Sequence, residues 1–130
     1  MPTVETSTPP NTPIPLGPYS HIAKAGSFIA ISATAGVNPA TGELAGADVY
    51  PQAKQILESF RVMLASVESG LDCIVHVNVF LKEMSDFEEL NRAYAEVMGD
   101  HLPARTVIEV TDVPKSGALV TMNLTAVTKG

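Results

Sequence analysis

What this sequence has little of narrows its role before any motif is considered. Among 130 residues there is one cysteine, Cys73. No internal disulfide can therefore form, and the expected setting is a reducing one, the cytoplasm. Arginine is nearly as scarce, with Arg61, Arg92 and Arg105 the only three. The 8 basic against 14 acidic residues leave a formal charge of −6, and there is no basic run. A nucleic-acid surface normally needs a positive stripe, and single-strand binders add stacking aromatics. Here tryptophan is absent and aromatics make up 5 % of the chain, so no nucleic-acid partner is expected. No apolar run approaches membrane-spanning length, and Met1 to Glu5 lacks the charged and apolar regions of a signal peptide. The length fits one domain over 1–130 with a real core.

What is present begins with proline. Six of the ten prolines lie in the first 18 residues, so residues 1–15 read as an extended arm. Gly17-Pro18 forces a turn that delivers Tyr19, an aromatic ring with a polar tip, to the mouth of a strand; ordinary packing of that ring is the plain alternative. His21 has no evident partner nearby in sequence and reads as a surface or strand-edge residue. Ile22–Lys24 and Ser27–Ala35 form two strands turning at Gly26, and simple alternation puts Ser32 and Thr34 on one face, opposite Ile29, Ile31 and Ala33. Asp48 and Pro51 open a helix whose apolar stripe is Ala53, Ile56, Leu57, Phe60, Leu64 and Val67, with Gly70 as a left-handed cap. Cys73–Lys82 is the next strand, with Val75, Val77, Val79 and Leu81 on its apolar face and Cys73 as a small buried filler. Ser85-Asp86-Phe87-Glu88 reads as a capping box starting a second helix; Asn91 sits at the edge of its stripe, and Gly99 closes it. The last strand spans Ala118–Val127.

The most informative stretch is Pro103-Ala104-Arg105-Thr106-Val107-Ile108-Glu109-Val110, a strand by its β-branched content. Arg105 is out of place there. A guanidinium keeps its proton and offers a rigid fork of five donors, so a site near a packed sheet must supply an anion. One reading is an Arg105–Glu109 ion pair or a wet sheet edge; the other is a bidentate clamp for the carboxylate of a small acid. Each helix has one apolar stripe and each strand one apolar face. The expected class is α/β (α+β): a single mixed sheet of about six strands with two helices on one face. The other face is too mixed for a core and too apolar for water, so it is expected to meet another subunit, with small-molecule sites in the seams.

The segments Leu16-Gly17-Pro18-Tyr19-Ser20, Asn38-Pro39-Ala40-Thr41-Gly42-Glu43, Val79-Phe80-Leu81-Lys82 with Asp86-Phe87, Asn91-Arg92-Ala93-Tyr94 and Pro103-Ala104-Arg105-Thr106-Val107 together resemble the YjgF/RidA family, the reactive intermediate deaminases also known as L-PSP endoribonucleases. The resemblance runs from about Pro15 to Val127. It implies a chorismate-mutase-like fold, a homotrimer with a site at each subunit interface, and hydrolysis of 2-imino and 2-enamino acids to 2-oxo acids and ammonia without a metal or organic cofactor. It further implies that Arg105 grips the substrate carboxylate, that Tyr19 lines the pocket, that Ser32 and Ala33 contact the ligand through their backbone, and that Asn91 supports the site. Two departures stand out. Ser32-Ala33-Thr34 replaces the usual Ser-Gly-Gln, and Thr121-Met122-Asn123 replaces the usual Glu-Ile-Glu, whose first glutamate helps hold the attacking water. A hydroxyl at Thr121 can hold a water but cannot take its proton at neutral pH. Three readings follow: an imine/enamine deaminase, a non-catalytic binder of small 2-oxo acids, and a ribonuclease, which the charge balance disfavours.

Overall fold

The computed structural model describes residues 3–130. Six strands, β1 (Glu5–Ser7), β2 (Ile22–Ala25), β3 (Phe28–Ala35), β4 (Ile74–Leu81), β5 (Ala104–Glu109) and β6 (Val120–Val127), form one mixed sheet in the order β1-β2-β3-β6-β4-β5. All pairings are antiparallel except β4 with β5, which is parallel. That parallel pair requires a crossover, and the second of two helices, α1 (Val49–Ala65) and α2 (Phe87–Met98), supplies it. The mixed sheet with two helices is therefore as expected. Among the described residues no helix is long and apolar enough to cross a membrane.

The core lies between the helices and one sheet face. The α1 stripe of Ala53, Ile56, Leu57, Phe60, Met63 and Leu64 is fully buried against Ile29, Val77, Val79, Leu81, Met122 and Ala126. Gln52 is buried with them. Its Nε2 donates to the carbonyls of Gly46 (2.9 Å) and Gly117 (3.3 Å), and its Oε1 accepts from Leu119 N–H at 2.8 Å. One side chain thus satisfies backbone from the loops before α1 and before β6. The backbone there leaves no room for a Cβ at Gly36, which would meet the Gln52 carbonyl oxygen at 2.3 Å.

Several local expectations are corrected. Within the expected extended arm, Glu5–Ser7 is an edge strand paired to β2, and Thr12 is buried with its hydroxyl on the Pro9 carbonyl at 2.6 Å; the arm's first two residues lie outside those described. The left-handed residue after α1 is Glu68 (φ 59°), not Gly70, which is extended at φ −169°. The turn closes early because Ser69 N–H reaches back to the Leu64 carbonyl at 2.9 Å, the six-to-one bond of a Schellman turn. The capping box does not form either: Met84–Asp86 is a 3₁₀ turn running into α2, so Asp86 holds the cap position and its side chain makes no cap bond. Cys73 lies in another such turn, half-exposed, its thiol 3.8 Å from Asp72 Oδ1.

Strand alternation fails at two bulges. The β3–β6 register jumps between Ile31 and Thr34, so Thr34 opposes the buried Met122 on the helix side and Ala33 is exposed. A second jump between Ile74 and His76 puts Ile74 in the core and turns Val75 outward. One extra residue inverts the facing of everything beyond it. On the open face, Asn78 Nδ2 donates to Asn123 Oδ1 at 2.9 Å and His76 Nε2 meets Thr106 Oγ1 at 3.1 Å. Around these polar pairs Phe28, Val75, Ile108 and Val127 remain 40–53 % exposed.

Candidate functional site

The hairpin turn at Gly26 (φ 60°) sets the first half of the site. Its register pairs Ile22 with Ile31, both in the core. The next cross-strand pair is His21 with Ser32, held by the Ser32 N–H to His21 carbonyl bond of 2.9 Å and turned to the open face. His21 is 2 % exposed, not the surface residue expected from sequence. Its Nδ1 lies 3.3 Å from Ser32 Oγ, and its Nε2 bonds the Pro13 carbonyl. Because a carbonyl only accepts, Nε2 carries hydrogen; in the neutral ring Nδ1 is then the acceptor and Ser32 Oγ donates to it. The Tyr19 ring stands edge-on to the imidazole at 6.0 Å. Tyr19, Ser32, Ala33 and Thr121 border one groove of about 420 Å³, within the range of small-molecule sites. Thr121 is 6 % exposed and opposes Ala35 and Phe80. Among the described residues, Lys115 is the only lysine, arginine or carboxylate lining the groove.

The second half lies at the far edge of the sheet. Arg105 follows the entrance of β5 and opposes Val77, which directs it to the helix side. There α2 presents Phe87, Asn91 and Tyr94, spaced four and three residues apart and hence on one face. Arg105 Nη2 donates to Asn91 Oδ1 at 2.8 Å. The guanidinium carbon sits 4.8 Å from the centre of the Tyr94 ring and 5.8 Å from that of Phe87. The Arg105–Glu109 ion pair does not form; Glu109 accepts from Met84 N–H at 2.7 Å instead. Among the described residues no carboxylate pairs with Arg105. The half-buried fork is held by an amide and two rings, with donors to spare. Beside it the Tyr94 hydroxyl is buried without a partner; burial pushes its pKa up, against the pull of the Arg105 charge.

One chain therefore gathers Tyr19, Ser32, Ala33 and Thr121 in one place and Arg105 with Asn91 in another. Three strand spacings separate β3 from β5, roughly 14 Å, and two separate β5 from β6, which carries Thr121, roughly 10 Å; the two groups use opposite faces of the sheet. No small acid bridges that gap within a single copy. Sequence reasoning missed His21, yet its signal was present: counting back from the turn pairs residues 25 with 28, 22 with 31, and 21 with 32.

Comparison with known proteins adds independent information. The family model described as Endoribonuclease L-PSP matches residues 9–128. A RutC family protein of Pyrococcus horikoshii is 40 % identical over 105 residues, 81 % of this chain and 83 % of that one. The 2-iminobutanoate/2-iminopropanoate deaminase of Escherichia coli is 35 % identical over 108 residues, 81 % of this chain and 84 % of that one. Among solved structures, yeast Mmf1 superposes with a TM-score of 0.91 at 31 % identity, covering 98 % of this chain and 100 % of that one. The YjgF gene product of E. coli does so at 0.88 and 32 %, covering 95 % and 98 %.

Proposed function

The chain belongs to the endoribonuclease L-PSP family, the YjgF/RidA proteins, and from that premise we propose that it hydrolyses reactive 2-imino and 2-enamino acids to 2-oxo acids and ammonia. The observation that carries this reading is Arg105: a half-buried guanidinium oriented by Asn91, stacked on Tyr94, and without a carboxylate partner among the described residues. Its vacant donors match a carboxylate in a two-bond, charge-assisted fork.

The substrate carboxylate docks on Arg105 of one copy while the imine carbon lies in the groove of a neighbour, beside Tyr19, Ser32, Ala33 and Thr121. The assembly is a homotrimer with three such seams. Supporting this arrangement, the two halves are too far apart within a chain, and the open sheet face keeps an apolar set (Phe28, Val75, Ile108 and Val127) that association would cover. Thr121 orients the attacking water through its hydroxyl. A protonated imine is already a strong electrophile, so fixing its carboxylate and aligning a water supplies much of what hydrolysis needs.

The test generates 2-iminopropanoate in place with an amino acid oxidase and measures how much survives to be trapped by semicarbazide. Faster loss of imine with the protein supports the deaminase. Unchanged loss, with 2-oxo acid still binding by calorimetry, makes the protein a carrier of small 2-oxo acids, the reading favoured by Thr121 in the position of a water-holding acid.

A further inference from the structure

We propose that His21 and Ser32 form the proton relay of this site, with His21 taking the proton that a glutamate would otherwise accept. The proposal rests on the deaminase reading and supplies the base which that reading lacks.

Three observations converge. Among the described residues no carboxylate lines the groove, and its titratable members are His21, Tyr19 and Lys115. Of these, the imidazole is the one hydrogen-bonded to a hydroxyl of the groove wall. The Pro13 carbonyl occupies Nε2 and thereby fixes the lone pair on Nδ1. That lone pair points at Ser32 Oγ, 3.3 Å away and itself on the groove wall. The order carbonyl, imidazole, hydroxyl, cavity is that of an oriented base behind a hydroxyl. The remaining surroundings of His21 are neutral groups: its backbone N–H donates to Thr8 Oγ1 at 3.1 Å, and the Tyr19 ring lies edge-on to the imidazole.

The chemistry balances. Water adds its oxygen to the carbon of the iminium ion; its proton passes to Ser32 Oγ as the Ser32 proton passes to His21 Nδ1. The products are a neutral carbinolamine and an imidazolium. The proton returns through Ser32 to the carbinolamine nitrogen, the C–N bond breaks with its electron pair leaving on ammonia, and the hydroxyl proton goes to that ammonia. The sum is iminium plus water to 2-oxo acid plus ammonium, with His21 neutral again. Ser32 is the group that touches the water; His21 acts through it.

The decisive variant is His21→Gln. Its amide can donate to Pro13 and accept from Ser32 but cannot carry a proton. We expect kcat for imine hydrolysis to fall about 10²-fold with KM unchanged, the scale of a positioned proton-transfer group. The acid limb of the kcat–pH profile should vanish with it. Ser32→Ala, which leaves the His21–Pro13 bond in place, should lose kcat to the same extent, and it decides the matter if His21→Gln does not fold. A folded His21→Gln enzyme with wild-type kcat, or a fully active Ser32→Ala, overturns the relay while leaving the deaminase standing. A wild-type protein that does not hasten imine loss overturns both.

Discussion

Replacing Arg105 with alanine tests the site at its anchor, and the structure sets the size of the effect. In the bound state two charge-assisted bonds would join the guanidinium to the substrate carboxylate. Such bonds contribute roughly 1.5–3 kcal/mol each, and a half-buried, solvent-screened fork belongs at the low end, about 3 kcal/mol in all. At 1.4 kcal/mol per decade that is about a 10²-fold loss of affinity for a 2-oxo acid such as pyruvate. Stability should hardly move. The stacking on Tyr94 and Phe87 contributes about 1 kcal/mol, offset in part because a partly desolvated charge is removed. Calorimetric titration with pyruvate gives the affinity and thermal melting gives the stability. A third readout is local: Arg105 pulls the Tyr94 pKa down, so its removal should move the Tyr94 titration to still higher pH in an ultraviolet scan. A folded Arg105→Ala protein that binds pyruvate as tightly as wild type would falsify the anchor.

Three further outcomes are expected. Thr121→Glu should raise turnover, and should do so by a larger factor in the His21→Gln background than in wild type, because an acid at 121 then supplies the missing acceptor; unchanged rates mean that β6 has been aligned wrongly or that position 121 does not hold the water. Gln52→Leu should cost about 3 kcal/mol in urea unfolding, since it strands two loop carbonyls and the Leu119 N–H in the interior, while sparing pyruvate affinity in the folded fraction. Mixing inactive Arg105→Ala and Ser32→Ala chains, then unfolding and refolding them together, should recover about one quarter of wild-type activity, because an interface site draws each half from a different copy; two halves working within one chain would recover none.

The parts of this molecule legible in its sequence are those where local and global preferences agree. The α1 stripe, the turn at Gly26, the closing Gly99 of α2 (φ 64°) and the placement of Arg105 on a strand all follow from periodicity and turn chemistry. The failures have a common physical cause. Bulges depend on how two strands settle against each other, so a single strand's pattern does not reveal them. Ala33 and Val75 were each placed on the wrong face for this reason. Helix ends misled likewise: the Ser69–Leu64 bond, not the nearby glycine, terminates α1, and a 3₁₀ turn displaces the cap of α2.

The position of these failures bears on function. The β3 bulge falls at Ser32-Ala33, where the pocket takes its wall, and the β4 bulge turns Val75 out onto the open face. A regular β3 would carry Ala33 into the core and leave Thr34 on the pocket side with Ser32. The extra residue instead keeps Ser32 and Ala33 together at the groove and turns Thr34 inward, buried yet still part of the groove wall, with its hydroxyl bonded to the Ser32 carbonyl at 3.0 Å. That bond ties the bulge to itself just where His21 is braced by Pro13 from the other side. A polar residue in the core, a guanidinium with no carboxylate partner among the described residues and a buried histidine each lower the consistency of the fold. All three border the two half-sites.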